Sequence, residues 1–164
     1  MTQTFNNVKN TFNIRECLMT DLEGIVLLNK LAFCENENYD TNIVHNWDGT
    51  NYFEKCIQSA IEMQNHFFFV LTNDRGIVGY VNGYIEKSEY MKEPRCEVEN
   101  IGIHPEFQNQ GGMNILMEEV TKFMKKNNVT LMSVEIFAKN QRMKNILENK
   151  GFEQVDIVYR KRIV

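Results

Sequence analysis

The chain has 164 residues, of which 43% are hydrophobic and 24% charged, and carries a formal net charge of −4. That length supplies the core of one domain. The mildly acidic balance argues against a nucleic-acid-binding face, and no apolar run approaches the ~20 residues that cross a bilayer.

Residues 1–10 are polar and lack an apolar stretch, so they read as a flexible tail rather than a secretion signal, with 11–164 as a single domain. Phe12 to Cys17 alternates apolar and polar residues and predicts a first strand. Thr20 or Asp21 is placed to cap a helix carrying Leu22, Ile25, Val26, Leu28, Leu31 and Ala32. The polar, acidic stretch from Glu35 to Asn51 reads as a loop or short helix, and Tyr52 to Gln64 as a second long helix. Phe67 to Leu71 is a buried strand, Asn73-Asp74-Arg75-Gly76 a tight turn, and Ile77 to Ile85 the returning strand. Cys96 to Ile103 follows as strand, 113–126 as helix, Leu131 to Phe137 as strand and Gln141 to Asn149 as helix, stopped by Gly151. Phe152 to Arg162 closes the chain as a last strand. The order β-α-α-β-β-β-α-β-α-β mixes hairpins with a βαβ unit. It predicts an α/β (α+β) fold with a mixed central sheet and helices on both faces.

Cys17, Cys34, Cys56 and Cys96 are widely spaced, with no CxxC pair and no neighbouring His. They read as free buried thiols of a cytoplasmic protein, and no metal is implied.

The segment from Ile101 to Leu116 carries the most information. It is an apolar strand, a Pro stop, a polar turn with Gly111 and Gly112, and then a helix with its stripe at Met113, Leu116, Met117, Val120, Phe123 and Met124. Such a turn points the first helical amides outward, where the helix dipole adds positive charge, so it suits an anion such as a phosphate. No Lys follows Gly112 as a nucleoside-triphosphate loop requires, and the three spaced glycines of a dinucleotide fingerprint are missing. Backbone amides would have to bind the anion by themselves.

Ile103-His104-Pro105 followed by Gln108-Asn109-Gln110-Gly111-Gly112-Met113, and Glu135 to Asn140 followed by Asn149-Lys150-Gly151-Phe152, resemble the two acyl-CoA elements of the GNAT superfamily of N-acyltransferases. The likeness spans roughly residues 12 to 162, and Asn100 to Gln108 is most similar to bacterial ribosomal-protein and small-amine acetyltransferases. It implies acetyl-CoA as co-substrate, with the pantetheine along Ile101, Gly102 and Ile103. The pyrophosphate would lie on the amides of Gln108, Asn109, Gln110, Gly111, Gly112 and Met113, with Asn140 as a further pantetheine contact. It implies transfer of an acetyl group to a primary amine of a small molecule or peptide, with no nucleic acid or membrane partner and with a homodimer as one arrangement. Two residues depart from the family pattern. Met113 is bulky where the motif is small, and Leu147 stands where many members have the Tyr that protonates the leaving thiolate. With these changes, an acyl-CoA sensor without turnover is the competing expectation.

An amine attacks a thioester only when neutral, and lysine-like amines have a pKa near ~10.4, so the reaction needs a base. Glu97 and Glu99, two apart on the strand before the turn, are expected on the same face as Ile101 and Ile103. Resemblance to polyamine, histone-type and ribosomal-protein members makes Glu99, Glu97 and Glu135, respectively, the candidate bases. For the thiolate acid, Tyr90, Tyr159 or water remain open. His104 reads as a surface residue. Trp47 and Tyr39, with Glu35, Glu37 and Asp40, are a solvated loop or the wall of an amine pocket.

Overall fold

The computed structural model describes residues 11–34, 36–44 and 47–163, so the expected tail over 1–10 lies outside the described residues. The elements run β1 (Asn13–Glu16), α1 (Leu22–Ala32), α2 (Asn36–Tyr39), α3 (Thr50–Glu62), β2 (His66–Asn73), β3 (Gly76–Glu86), β4 (Arg95–Ile103), α4 (Gly112–Lys126), β5 (Leu131–Val134) and α5 (Gln141–Asn149). The five strands form one sheet in the order β1-β2-β3-β4-β5. The first four are antiparallel, and β4 pairs with β5 in parallel through the α4 crossover.

Strand β2 explains how the sheet is clothed. Side chains alternate across a strand, and here both faces are apolar. Phe67, Phe69 and Leu71 join Leu116, Val120 and Met124 of α4 in one core. Phe68 and Val70 join Ile25 and Leu28 of α1 and Phe53 and Ile57 of α3 in the other. The sheet is therefore a two-sided partition with helices on both faces, as the element order predicts. The β2–β3 turn also follows the sequence: Asn73 Oδ1 accepts from the Arg75 N–H at 2.8 Å, and Gly76 takes a φ of +107° that disfavours other residues. At the start of α1, Asp21 receives two hydrogen bonds from Arg15 at 2.6 and 2.8 Å and one from the Leu18 N–H at 2.8 Å. These contacts hold the carboxyl below the usual carboxylate range, chiefly through the Arg15 hydrogen bond. Among the described residues no helix is long and apolar enough to cross a membrane.

The closing strand expected over Phe152 to Arg162 is not formed. Alternating apolar residues favour a strand only where a partner edge receives them, and β5, the neighbouring edge, has four residues. Val155, Ile157, Val158 and Tyr159 stay exposed, and Arg160 instead reaches back to form an ion pair with Asp40.

One irregularity positions the site. In the β3–β4 register Asn82 faces Asn100 and Gly83 faces Val98, so Glu99 is an extra residue, a β-bulge. Gly83 permits this close crossing: a Cβ there would sit 1.9 Å from the Glu97 carbonyl oxygen and 2.8 Å from Phe67 Cζ. Replacing Gly83 by Ala should therefore cost about 2–4 kcal/mol, lowering the thermal midpoint by several degrees. A melting curve superimposable on wild type would show that the crossing has slack.

Candidate active site

Strands β4 and β5 pair from Arg95–Leu131 to Val98–Val134 and then part. Beyond that fork β4 continues through Glu99 to Ile103 with its outer edge released from β5. Ligands of α/β sheets enter beyond the carboxyl ends of such strands. The chain next makes a short turn, Pro105–Phe107, capped by His104, whose Nδ1 accepts from the Glu106 N–H at 3.2 Å. His104 is thus a half-buried cap rather than a plain surface residue.

The glutamines of the motif serve the turn itself. Gln108 donates to the Ile103 carbonyl at 3.3 Å and Gln110 to the Glu106 carbonyl at 2.8 Å. Asn109 and Gly111 adopt left-handed φ values of +61° and +89°, and α4 begins at Gly112. The Asn114 and Ile115 amides both bond back to the Gly111 carbonyl. The amides of Gly111, Gly112 and Met113 precede them, have no intrahelical acceptor and carry the positive end of the helix dipole. Gly112 is needed for packing as well, since a Cβ would meet Leu71 Cδ2 at 2.8 Å.

Met113 lines an apolar crevice between α4 and α5 together with Ile101, Met117, Val134 and Leu147. Leu147 is thereby part of an apolar wall, and no proton donor stands at its position. Asn140 caps α5, its Oδ1 accepting from the Met143 N–H at 3.0 Å, which fixes its side chain.

The bulge overturns the expectation that Glu97 and Glu99 share a face with Ile101 and Ile103. Cys96, Val98, Ile101 and Ile103 point to the α4 core, whereas Glu97 is opposite Tyr84 and Glu99 bonds Asn82, on the side of α1 and α3. The insertion of one residue changes the parity of the strand. Glu97 forms an ion pair with Arg95, which also holds Glu86 at 2.9 Å, so its carboxylate is engaged. Glu99 is exposed to solvent while its Oε2 accepts from Asn82 Nδ2 at 3.1 Å. Burial pushes its carboxyl above the usual carboxylate value, against the pull of His66 and of the Asn82 hydrogen bond. Glu135 lies one residue beyond β5, exposed, and follows the Val98–Val134 pair as Glu99 does on β4.

The polar groups around Glu99 escaped sequence reasoning. Asn100 Nδ2 donates to the Tyr52 hydroxyl at 2.7 Å, and burial raises the pKa of that phenol. Trp47 packs its ring 5.5 Å from Tyr52, while Tyr39 stacks on Phe137 at 6.0 Å and Asp40 is taken by Arg160. Of the proposed amine wall, Trp47 therefore borders the site, Tyr39 and Asp40 have other partners, and Glu35 lies outside the described residues. Tyr90 and Tyr159 are 82% and 88% exposed on a loop and the C-terminal segment, without the enclosure expected of a thiolate acid. All four cysteines are free, with Cys34 exposed rather than buried.

The chain matches the family model described as acetyltransferase (GNAT) family over residues 29–152. No curated protein matches the sequence. Solved structures similar to it include the PaiA N-acetyltransferase of Thermoplasma acidophilum in complex with coenzyme A, with 16% identity, 90% of this chain and 93% of that one covered, and a TM-score of 0.76. The aminoglycoside antibiotic 6'-N-acetyltransferase AAC(6')-Ih of Acinetobacter baumannii has 16% identity, 94% and 99% coverage and a TM-score of 0.70. The aminoglycoside N-acetyltransferase AAC(6')-Iy, in complex with CoA, has 18% identity, 94% and 97% coverage and a TM-score of 0.70. At these identities the likeness to the structures is one of fold.

The Cys56 thiol of α3 is pushed up to about 11 by burial, so it is protonated near neutrality and poorly nucleophilic. With iodoacetamide at pH 8, Cys56 should react at least about tenfold more slowly than exposed Cys34, as read by peptide mapping. Comparable rates would mean that the α3 face opens far more than its packing implies.

Proposed function

Since the chain belongs to the acetyltransferase (GNAT) family, we propose that it transfers an acetyl group from acetyl-CoA to a primary amine, with Glu99 as general base. The bulge carries this reading, because it sets a solvent-reachable carboxylate hydrogen-bonded to Asn82 at the fork, one residue past the last β4–β5 pair.

The residues present fit the co-substrate. The amides of Gly111, Gly112 and Met113 supply donors for a pyrophosphate, the released edge of Ile101 to Ile103 supplies backbone groups for the pantetheine amides, and the crevice of Ile101, Val134 and Leu147 supplies an apolar wall. Asn140, held by its cap, offers its amide nitrogen from the other arm of the fork. Acetyl-CoA brings the activated thioester. Glu99 takes a proton from the acceptor ammonium, and the freed lone pair forms the new C–N bond as the C–S bond breaks. Leu147 has no proton to give, so the thiolate leaves to solvent, which coenzyme A tolerates. The second proton lost by the nitrogen goes to solvent or to the departing sulfur.

The acceptor side lies under α1 and α3, where Glu99 favours a cationic molecule. Two of the structural neighbours are named aminoglycoside acetyltransferases, and polyamines, amino acids and peptide N-termini share the same reactive group. Thiol release with acetyl-CoA and a panel of these amines tests the activity directly.

Two outcomes are expected. Gly111→Pro imposes a negative φ where the chain has +89° and removes a donor, so acetyl-CoA affinity by calorimetry should fall at least about tenfold. Unchanged affinity would remove the pyrophosphate from this turn. Glu99→Gln should lower turnover by roughly 10²-fold at neutral pH, with a smaller loss at high pH where the amine is already neutral. Because burial raises the carboxyl of Glu99, the wild-type rate should climb with pH through a midpoint above the ordinary carboxylate range and fall below it as the base is protonated. A Glu99→Gln variant with wild-type rates at every pH would exclude this residue as the base.

A further inference from the structure

The cation that the glycine turn lacks in sequence arrives from α5. Lys150 follows the last residue of that helix, and its backbone is fixed there. The Leu147 carbonyl accepts from the Lys150 and Phe152 N–H groups at 2.9 and 3.1 Å, and the Glu148 carbonyl from the Gly151 N–H at 3.0 Å. Gly151, at a φ of +84°, turns the chain away directly afterwards. Backbone groups thus close the end of α5, and these terminal carbonyls do not call on the ammonium of Lys150.

The side chain goes elsewhere. Its stem lines the apolar crevice with Met113, Met117 and Leu147, as lysine methylenes do along apolar surface. Its Nζ donates to Asn114 Oδ1 at 2.5 Å, and Asn114 is the third residue of α4. Lys150 therefore carries a positive charge to the end of α4 that is already positive. There the dipole and the free amides of Gly111, Gly112 and Met113 favour anions and repel cations. No acidic residue lies in the first turn of α4, and among the described residues no carboxylate forms an ion pair with Lys150. A neutral glutamine would reach the same amide oxygen without the repulsion. Packing explains the stem and the hydrogen bond; it does not explain the charge.

We propose that Lys150 is a phosphate-binding cation of this site, its ammonium and the α4 amides closing on the pyrophosphate of acetyl-CoA from two sides. Asn114 holds the ammonium in place before the co-substrate arrives. This rests on the reading of the glycine turn as the pyrophosphate site. A charge that repels the helix end in the free protein attracts the anion in the complex, so the unfavourable placement becomes favourable on binding. The crevice that Lys150 lines also holds Ile101, Val134 and Leu147, the apolar wall for the pantetheine. One side chain thereby joins that wall to the phosphate end and selects for acyl carriers that bear phosphate.

The test is calorimetry of coenzyme A with the full chain as wild type, Lys150→Gln and Lys150→Arg, at low and high salt. The glutamine keeps a donor for Asn114 and removes the charge. Its affinity should fall about tenfold and lose part of its salt dependence, while Lys150→Arg should stay within about threefold of wild type. The melting midpoint of ligand-free Lys150→Gln should equal or exceed that of wild type, because a cation has left a positive helix end. A mere strut between α5 and α4 gives the reverse, a lower midpoint with unchanged affinity, and that result overturns the inference. Coenzyme A lacking its ribose phosphate should show the same loss. If its affinity ignores the substitution, Lys150 serves the ribose phosphate and the pyrophosphate assignment falls. Unchanged affinity in Lys150→Gln with a tight wild-type complex removes Lys150 and leaves the turn as the pyrophosphate site. Failure of the wild type to bind coenzyme A removes the co-substrate reading itself, and this inference with it.

Discussion

The geometry of the site follows from a slip of one residue between β3 and β4. Without it, strand alternation would turn either the apolar residues before the fork or those after it away from α4. With it, Cys96 and Val98 on one side of the slip and Ile101 and Ile103 on the other all reach the same core. Glu99 and Asn100 are left to face α3. The apolar packing of β4 and the chemistry of the site are therefore one constraint: as long as both apolar pairs stay buried, the extra residue between them has to project on the opposite side.

That opposite side is largely apolar. Phe53, Phe68 and Tyr80 are nearly or fully buried there, and polar groups placed among them need mutual partners, because a lone buried polar atom loses its bonds to water. The hydrogen bonds from Asn82 to Glu99 and from Asn100 to Tyr52 meet that need locally. They also explain how a carboxylate persists against an aromatic layer while part of its side chain still reaches solvent. Burial strengthens each bond in such a cluster, and the same burial disfavours the charge.

Much of this was legible in the residues, and its failures have physical causes. The glycine turn, the βαβ unit around it and the β2–β3 hairpin were readable, because Gly, Pro and apolar periodicity act over a few neighbouring positions. Simple alternation across the whole strand predicts the wrong facing for Glu97 and Glu99, because the bulge resets it between Val98 and Asn100. The signal was available: apolar residues fall at 96, 98, 101 and 103, and the step of three marks an inserted residue. Phe152 to Arg162 has the alternation of a strand, but strand formation depends on an available edge that no local pattern reveals. Tyr52 and Asn82 carry no local signature at all. They lie far from Glu99 along the chain and meet it only after the sheet has closed under α3.

Gly83 also constrains how this protein can change over evolutionary time. Any side chain there would collide with the Glu97 carbonyl oxygen and with Phe67, so the position tolerates no drift while the slip is kept. Moving the slip along β4 would need a new glycine, a repacked α4 core and a relocated carboxylate at once, three changes that are each harmful alone. Divergence toward a different acceptor is therefore channelled into α1, α3 and the segments joining them, which can vary singly. Descendants of this chain would be expected to differ in what they bind well before they differ in where the proton is removed.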